Sequence, residues 1–130
     1  MIKLLVVCLS LLLSLPVVAR EVFFVGVPTK KVTLSDMEAR IKDVLIADGQ
    51  EFKVVIEKEG NKFYWASRDN VQLFPIPSGY VITFFAVGGE GYIRIENPEL
   101  TKELGTKESP YMEHLIHRMG NITYFGTEAD

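Results

Sequence analysis

The chain has 130 residues, of which 48% are hydrophobic and 24% charged, and its net charge is −3 at pH 7. This composition is that of an ordinary globular protein, and the length suits one domain with a single core. The longest basic run outside the N-terminus is Lys30-Lys31. The sequence therefore lacks the basic cluster with which proteins bind nucleic acid or an anionic membrane surface.

Residues 1–19 have the pattern of a secretory signal peptide. Lys3 provides the positive start, and the uncharged, leucine-rich run Leu4–Leu15 follows it. A proline and small residues then lead to Ala19, where a signal peptidase would cleave. We expect residues 20–130 to form the mature chain, a single domain that is not inserted in a membrane.

The cysteine content bears on the compartment. Cys8 is the only cysteine of the chain and lies within the predicted signal peptide. The mature protein would then have no disulfide, no thiol nucleophile and no thiolate metal ligand. Because small secreted eukaryotic domains usually depend on disulfides, we expect a bacterial protein, either periplasmic or secreted.

The first part of the mature chain predicts a strand followed by a helix. Val22–Val27 is a short apolar run that Pro28 ends. Ser35 and Glu38 match a capping box, and Gly49 would end the helix that begins there. Apolar residues recur at helical spacing between them, at Met37, Ile41, Val44 and Leu45.

The next segment predicts a β-hairpin. Its strands alternate apolar and polar residues on either side of Gly60-Asn61, a two-residue connection suited to a tight turn. In this register Ile56 lies opposite Trp65, and Glu59 lies opposite Lys62. One face of the hairpin is then apolar and is the predicted core face: Phe52, Val54, Ile56, Phe63 and Trp65.

A second hairpin is predicted between Tyr80–Val87 and Tyr92–Glu96, with the connection at residues 88–91. Its register would place Phe85 opposite Arg94, and Val87 opposite Tyr92. Phe85, Tyr92 and Arg94 would then form one patch, which suits partner recognition because arginine and aromatic rings attract each other. The alternative is that a later helix covers this patch.

The end of the chain predicts a short helical turn after Asn97-Pro98, a helix over Pro110–Gly120 and a last strand over Ile122–Phe125. The predicted fold class is α+β. An N-terminal helix would pack on an antiparallel β-meander, with a second helix and a short strand at the C-terminus. The apolar stripe of the second helix would consist of Met112, Leu115, Ile116 and Met119.

Three patterns resemble known families. The order of a capped helix followed by strands resembles the cystatins, although their Gln-x-Val-x-Gly motif is absent, and Ser35–Trp65 is similar to a PepSY module. Ser78-Gly79 is similar to the Ser-Gly-x-x-Tyr motif of one class of bacterial lysozyme inhibitors, but Ile82 takes the place of the tyrosine. A likeness of pattern implies a fold rather than a function.

Few residues point to chemistry. His114 and His117 stand three apart, but no third ligand accompanies them, so we expect no metal and no cofactor. Asp69–Gly79 combines apolar side chains with two prolines, which is typical of a preorganised binding loop. Phe74 and Ile76 would carry recognition there if they are exposed, and would simply cover the core if they are not.

These observations predict an exported, non-enzymatic binding or accessory domain that recognises a protein or an envelope component. One alternative is an inhibitor of an extracellular hydrolase that inserts Asp69–Gly79. Another is a small hydrolase that uses two carboxylates, whose separation is spatial and not visible in sequence. The candidate binding residues are Phe74, Ile76, Phe85, Tyr92 and Arg94.

Overall fold

The computed structural model describes residues 19–35, 38–104, 109–117 and 120–129. The predicted signal peptide up to residue 18 lies outside this part of the chain, as do Asp36, Met37, Gly105, Arg118 and Met119. The described residues form two short helices, α1 (Ile46–Glu51) and α2 (Pro98–Leu104). They also form nine strands: β1 (Glu21–Ser35), β2 (Glu38–Asp43), β3 (Val54–Glu59), β4 (Lys62–Trp65), β5 (Val71–Ser78), β6 (Val81–Ala86), β7 (Gly91–Glu96), β8 (Pro110–His117) and β9 (Gly120–Glu128).

The strands close into an antiparallel barrel. From β3 to β9 each strand pairs with the next along the chain, and the long strand β1 joins the two ends of this series. Its first half pairs with β3 and its second half with β9, which gives a closed ring of eight strands. Strand β2 lies outside the ring and extends the sheet from the second half of β1.

The α+β prediction is therefore wrong: the fold is a closed β-barrel. The predicted helix over Ser35–Gly49 is replaced by β2 and the short helix α1. Arg40 and Lys42 alternate with Ile41, so the segment also has strand periodicity, and pairing with β1 decides between the two patterns. Strands β1 and β2 form a hairpin, in which Ser35 pairs with Glu38 and Lys30 with Asp43, and β9 pairs with the other edge of β1. The helical spacing within residues 35–49 does not register this pairing.

The second predicted helix is also a strand. Residues 110–117 form β8, which lies between β7 and β9. Tyr111 and Glu113 are buried inside the barrel, while Ile116 is exposed outside. Spacings of three and four residues suggested a helical stripe, but the two flanking strands satisfy the backbone of β8 on both sides and make it a strand.

Pro28 does not end the first strand, as the sequence predicted. Strand β1 continues to Ser35, and its register against β9 shifts between Pro28 and Lys30. A proline is tolerated in a strand at such an irregularity, because the ladder there does not need its missing N–H group.

The first predicted hairpin is confirmed. Ile56 pairs with Trp65 and Glu59 with Lys62, as its register required. Trp65 is fully buried, but Phe52 lies before β3 and is 37% exposed rather than part of the core face. Its ring instead stacks on Tyr124, with 5.8 Å between the ring centroids.

The second hairpin forms with a different register. Phe85 pairs with Tyr92, and Arg94 pairs with Thr83, so the predicted pairs were wrong by two residues. The strand begins at Gly91, which the sequence had placed in the turn. A Cβ on Gly91 would lie 2.0 Å from the carbonyl oxygen of His114. Because Gly91 has no side chain, β7 can approach β8 closely there, and Gly91 pairs with Leu115 as part of the strand.

The core fills the interior of the barrel. Aromatic and branched side chains from β1 and from β3 through β8 form one cluster, in which Phe84 and Trp65 are fully buried. Phe23 packs its ring edgewise against Phe63 and Phe84, with centroid distances of 5.2 and 6.0 Å. Neither helix of the described chain has the length and apolar character needed to cross a membrane.

Candidate functional site

The five candidate binding residues lie together on the outside of the barrel. Phe74 pairs with Phe85, which pairs with Tyr92, so three aromatic residues follow one another across β5, β6 and β7. Ile76 and Arg94 lie in the neighbouring row, each paired with Thr83 between them. We call the surface formed by Phe74, Ile76, Phe85, Tyr92 and Arg94 the outer face.

The aromatic row continues onto β8. Tyr92 pairs with His114, and their rings stack with 5.0 Å between centroids, while Phe85 and Tyr92 lie 5.8 Å apart. Phe74 is 62% exposed, Ile76 47% and Phe85 42%. The sequence left open whether these side chains cover the core or are exposed, and in the structure they are exposed.

One prediction and one alternative for this region were wrong. Asp69–Gly79 is not a loop, since residues 71–78 form β5. The patch of Phe85, Tyr92 and Arg94 is not covered by a final helix, since that segment is the neighbouring strand. A groove of about 300 Å³ borders the outer face and is lined by Val81, Arg94, Glu96, Pro110, Met112 and Phe125, among others.

His114 takes part in this surface rather than standing on a helix. One of its ring nitrogens, Nδ1, lies 2.8 Å from the hydroxyl of Thr123 on β9. His117 pairs through its backbone with Gly120 at the end of β8. Within the described ranges, no three His, Cys, Asp or Glu side chains are grouped closely enough to hold a metal ion.

A buried charged cluster lies inside the barrel and was not singled out from the sequence. Trp65 Nε1 donates a hydrogen bond to Glu113 Oε2 at 2.9 Å, and Arg68 Nη2 donates one to Glu113 Oε1 at 3.1 Å. Burial raises the pKa of Glu113, and the charge of Arg68 opposes that shift. Burial also raises the pKa of Tyr124, against whose ring the Arg68 guanidinium lies at 5.9 Å.

A cavity adjoins this cluster at the end of the barrel where Asp69 and Glu90 lie in the strand connections. We call it the mouth cavity; its volume is about 430 Å³, within the range of small-molecule sites. Apolar side chains form one part of its wall and acidic residues of the strand connections form another. The lining residues are Trp65, Arg68, Asp69, Val71, Glu90, Leu115, Ile116, Ile122 and Tyr124.

A second cavity beside the mouth is lined by cations. We call it the cationic pocket; it has a volume of about 320 Å³ and is formed by Lys31, Thr33, Arg40 and Lys42. The sequence did not indicate this pocket, because Lys30-Lys31 is a run of only two cations and residues 35–49 have the spacing of a helix. The signal in the sequence was a spacing of two residues, between Lys31 and Thr33 and between Arg40 and Lys42. Residues two apart in a strand lie on the same face.

The chain was compared with protein-family models, with curated proteins and with solved structures, and none of the three comparisons gave a match.

Proposed function

We propose that this chain is an exported, non-enzymatic binding domain that recognises a protein partner through the outer face. The observation that supports this proposal is the contiguity of five side chains on β5, β6 and β7, three of them aromatic and all exposed except the half-buried Tyr92. Contiguous apolar surface bounded by polar groups is typical of interaction sites on soluble domains.

The chemistry of the outer face favours one kind of protein surface. Phe74 and Phe85 offer rigid apolar anchors, and Arg94 places a positive charge beside them. Aromatic residues and arginine are the side chains that most often dominate protein interfaces. We infer a partner that presents an apolar patch with a carboxylate facing Arg94.

The two alternative functions differ from this proposal in testable ways. An inhibitor of an extracellular hydrolase would be a special case of it, in which the partner is an enzyme and the contact is a strand face instead of an inserted loop. A carboxylate-dependent hydrolase would use two acids to cleave a substrate, and Glu113, the buried acid of the barrel, instead accepts hydrogen bonds from Trp65 and Arg68 on both oxygens. Turnover assays on peptidoglycan and on peptides separate the enzyme from both binding functions.

Site-specific crosslinking tests the proposal. The mature chain carrying p-benzoylphenylalanine at Phe74 is mixed with envelope extract from the source organism and irradiated. We expect one protease-sensitive adduct of defined mass. The same adduct should disappear when Phe85→Ser and Arg94→Ala are added, because these changes remove an anchor and the charge from the same surface.

The matched control is Ile41→Ser, which removes a side chain that is 70% exposed on β2, away from the outer face. This variant should retain the adduct. Equal loss in the control, or no adduct at all, contradicts the proposal. An adduct that resists protease identifies a non-protein envelope component and contradicts it as well.

A further inference from the structure

We propose that the barrel mouth binds an amphiphilic anion, whose acidic group is held in the cationic pocket and whose apolar part occupies the mouth cavity. The ligand class is an apolar chain or ring that carries a phosphate, sulfate or carboxylate. This site is separate from the outer face and does not depend on the function proposed for it.

The first observation is an unfavourable pairing of like charges. Lys31 and Lys42 are direct partners in the ladder between β1 and β2, and Arg40 lies in the next row of the same face. Like charges directly opposite each other destabilise a sheet. Among the described residues neither lysine has a carboxylate at ion-pair distance. An anion held between them would offset this repulsion.

The second observation is that the two cavities share one inner surface. Leu115 pairs with Ile122, Ile122 with Thr33 and Thr33 with Arg40, so a single row runs from β8 to β2. The residues of this row on β8 and β9 line the mouth cavity, and those on β1 and β2 line the cationic pocket. Strand β2 lies two strand spacings from β9, or about 10 Å. One small molecule can therefore contact both.

The neighbouring row gives the same connection through an aromatic ring. Glu113 pairs with Tyr124, and Tyr124 pairs with Lys31. The Lys31 ammonium lies 5.8 Å from the centroid of the Tyr124 ring, on which Phe52 stacks. Tyr124 is almost fully buried but lines the mouth cavity, and Phe52 is 37% exposed. The part of the ligand next to its acidic group would pack beside these rings.

The charges around the mouth orient the ligand. Asp69 precedes β5, which lies across the barrel from β9, and Glu90 lies in the connection between β6 and β7. Both are exposed acids of the mouth cavity. They repel an anion on their side, while Lys31 and Lys42 attract it on the other. The acidic group therefore faces β1 and β2.

The fluorescence of Trp65 provides the test, because it is the only tryptophan of the chain and lines the mouth cavity. The mature chain is titrated with dodecyl phosphate below its critical micelle concentration. We expect a saturable change in emission and weaker binding at high salt, since salt screens exposed charges. Inorganic phosphate supplies the acidic group alone, and dodecyltrimethylammonium supplies the same chain with the opposite charge. Both should bind at least tenfold more weakly.

Substitutions distinguish binding in the cationic pocket from general attraction to the positive charges of the protein. Lys31→Gln with Lys42→Gln should weaken dodecyl phosphate binding at least tenfold, without lowering the melting temperature, because the repulsive pair is removed. The matched control is Lys30→Gln, whose side chain belongs to the opposite face of the same strand and which should bind within twofold of the wild type. Lys42→Gln alone, at an exposed position, provides a second test of the same pocket.

Several results would overturn the proposal. Equal binding of the two dodecyl compounds would show that charge has no role, and equal binding of inorganic phosphate would show that the apolar part has none. A similar loss in Lys30→Gln would indicate general electrostatic attraction. Absence of saturable binding of dodecyl phosphate would remove the site. The outer-face changes Phe85→Ser and Arg94→Ala should leave this titration unaltered, so the two proposals fail independently.

Discussion

Trp65 and Glu113, which are 48 positions apart in the chain, meet inside the barrel, where the indole N–H donates a 2.9 Å hydrogen bond to the carboxylate. Both side chains are almost entirely inaccessible to solvent. A buried carboxyl group is tolerated only when its oxygens have donors, and here Arg68 satisfies the second oxygen. This hydrogen bond therefore connects β4 to β8 across the interior.

The two parts of the Trp65 side chain can be separated by substitution. Trp65→Phe retains an aromatic ring but leaves a Glu113 oxygen without its donor, which we expect to cost about 1–3 kcal/mol. Trp65→Ala also opens a cavity and should cost about 3–5 kcal/mol. Urea unfolding followed by circular dichroism measures both. A Trp65→Phe variant as stable as the wild type would contradict a role for the hydrogen bond.

The ionisation of Glu113 should appear in the pH dependence of stability. Its pKa in the folded state is raised by burial, while in the unfolded state it is about 4.3. Between these two values the folded chain binds more protons than the unfolded chain, so stability falls as pH rises through the raised pKa. Glu113→Gln removes this titration, and its free energy of unfolding should improve relative to the wild type from about pH 4 upward.

The control for this experiment is Glu21→Gln, because Glu21 is an exposed acid at the start of β1. Its free energy of unfolding should follow the wild type across the same pH range. A relative loss of stability in Glu113→Gln as pH rises would mean that the ion pair with Arg68 outweighs burial.

Two glycines allow the Tyr111 ring to lie against the barrel wall. A Cβ on Gly26 would lie 2.4 Å from Tyr111 Cε1, and a Cβ on Gly126 would lie 2.1 Å from the carbonyl oxygen of Val27. Each change to alanine should cost about 1–3 kcal/mol through overpacking. The new Cβ of Gly26→Ala would contact the Tyr111 ring, so adding Tyr111→Leu should restore stability to that variant. The same addition should not restore the stability of Gly126→Ala, whose Cβ would also contact backbone atoms. Denaturant unfolding of the double variants checks this difference, and equal relief in both would contradict it.

Neighbouring phenylalanines on β6 distinguish the outer face from the core. Phe84 is fully buried, and Phe84→Ala should cost about 3–5 kcal/mol. Phe85 is 42% exposed, so Phe85→Ala should cost about 1 kcal/mol or less, and Arg94→Ala about 0.5 kcal/mol or less. Thermal melts measure all three. Unfolding of Phe85→Ala at ambient temperature would show that this side chain supports the core and would remove it from the outer face.

We expect the exported chain to begin at Arg20, after cleavage behind Ala19. The Arg20 guanidinium lies 4.0 Å from the Tyr64 ring centroid and 3.6 Å from Glu59, so the first residue of the mature chain would be held against the barrel. N-terminal sequencing of the secreted or periplasmic protein decides the position. Recovery of a chain beginning at Met1 from the membrane fraction would show that the segment is an anchor.

The sequence by itself determined the features that depend on neighbours in the chain. The turn at Gly60-Asn61 specified the hairpin of β3 and β4 with its register, because a two-residue connection fixes which residues face each other. The short helix after Asn97 also follows from local chemistry, since the Asn97 side chain accepts a hydrogen bond from the backbone N–H of Glu99. The exposed candidates of the outer face were identified from the same kind of pattern.

Only the tertiary structure decided the rest. Residues 110–117 carry apolar side chains at helical spacing, but pairing with the next strand, β9, and with β7 on the other side made them β8. Residues 38–43 were decided in the same way by β1. The cationic pocket depends on the hairpin of β1 and β2, in which Lys31 meets Lys42. The burial of Glu113 depends on closure of the barrel, which brings Glu113 to Trp65. The energy of a ladder is shared between two strands, so the pattern of one segment taken alone does not contain it.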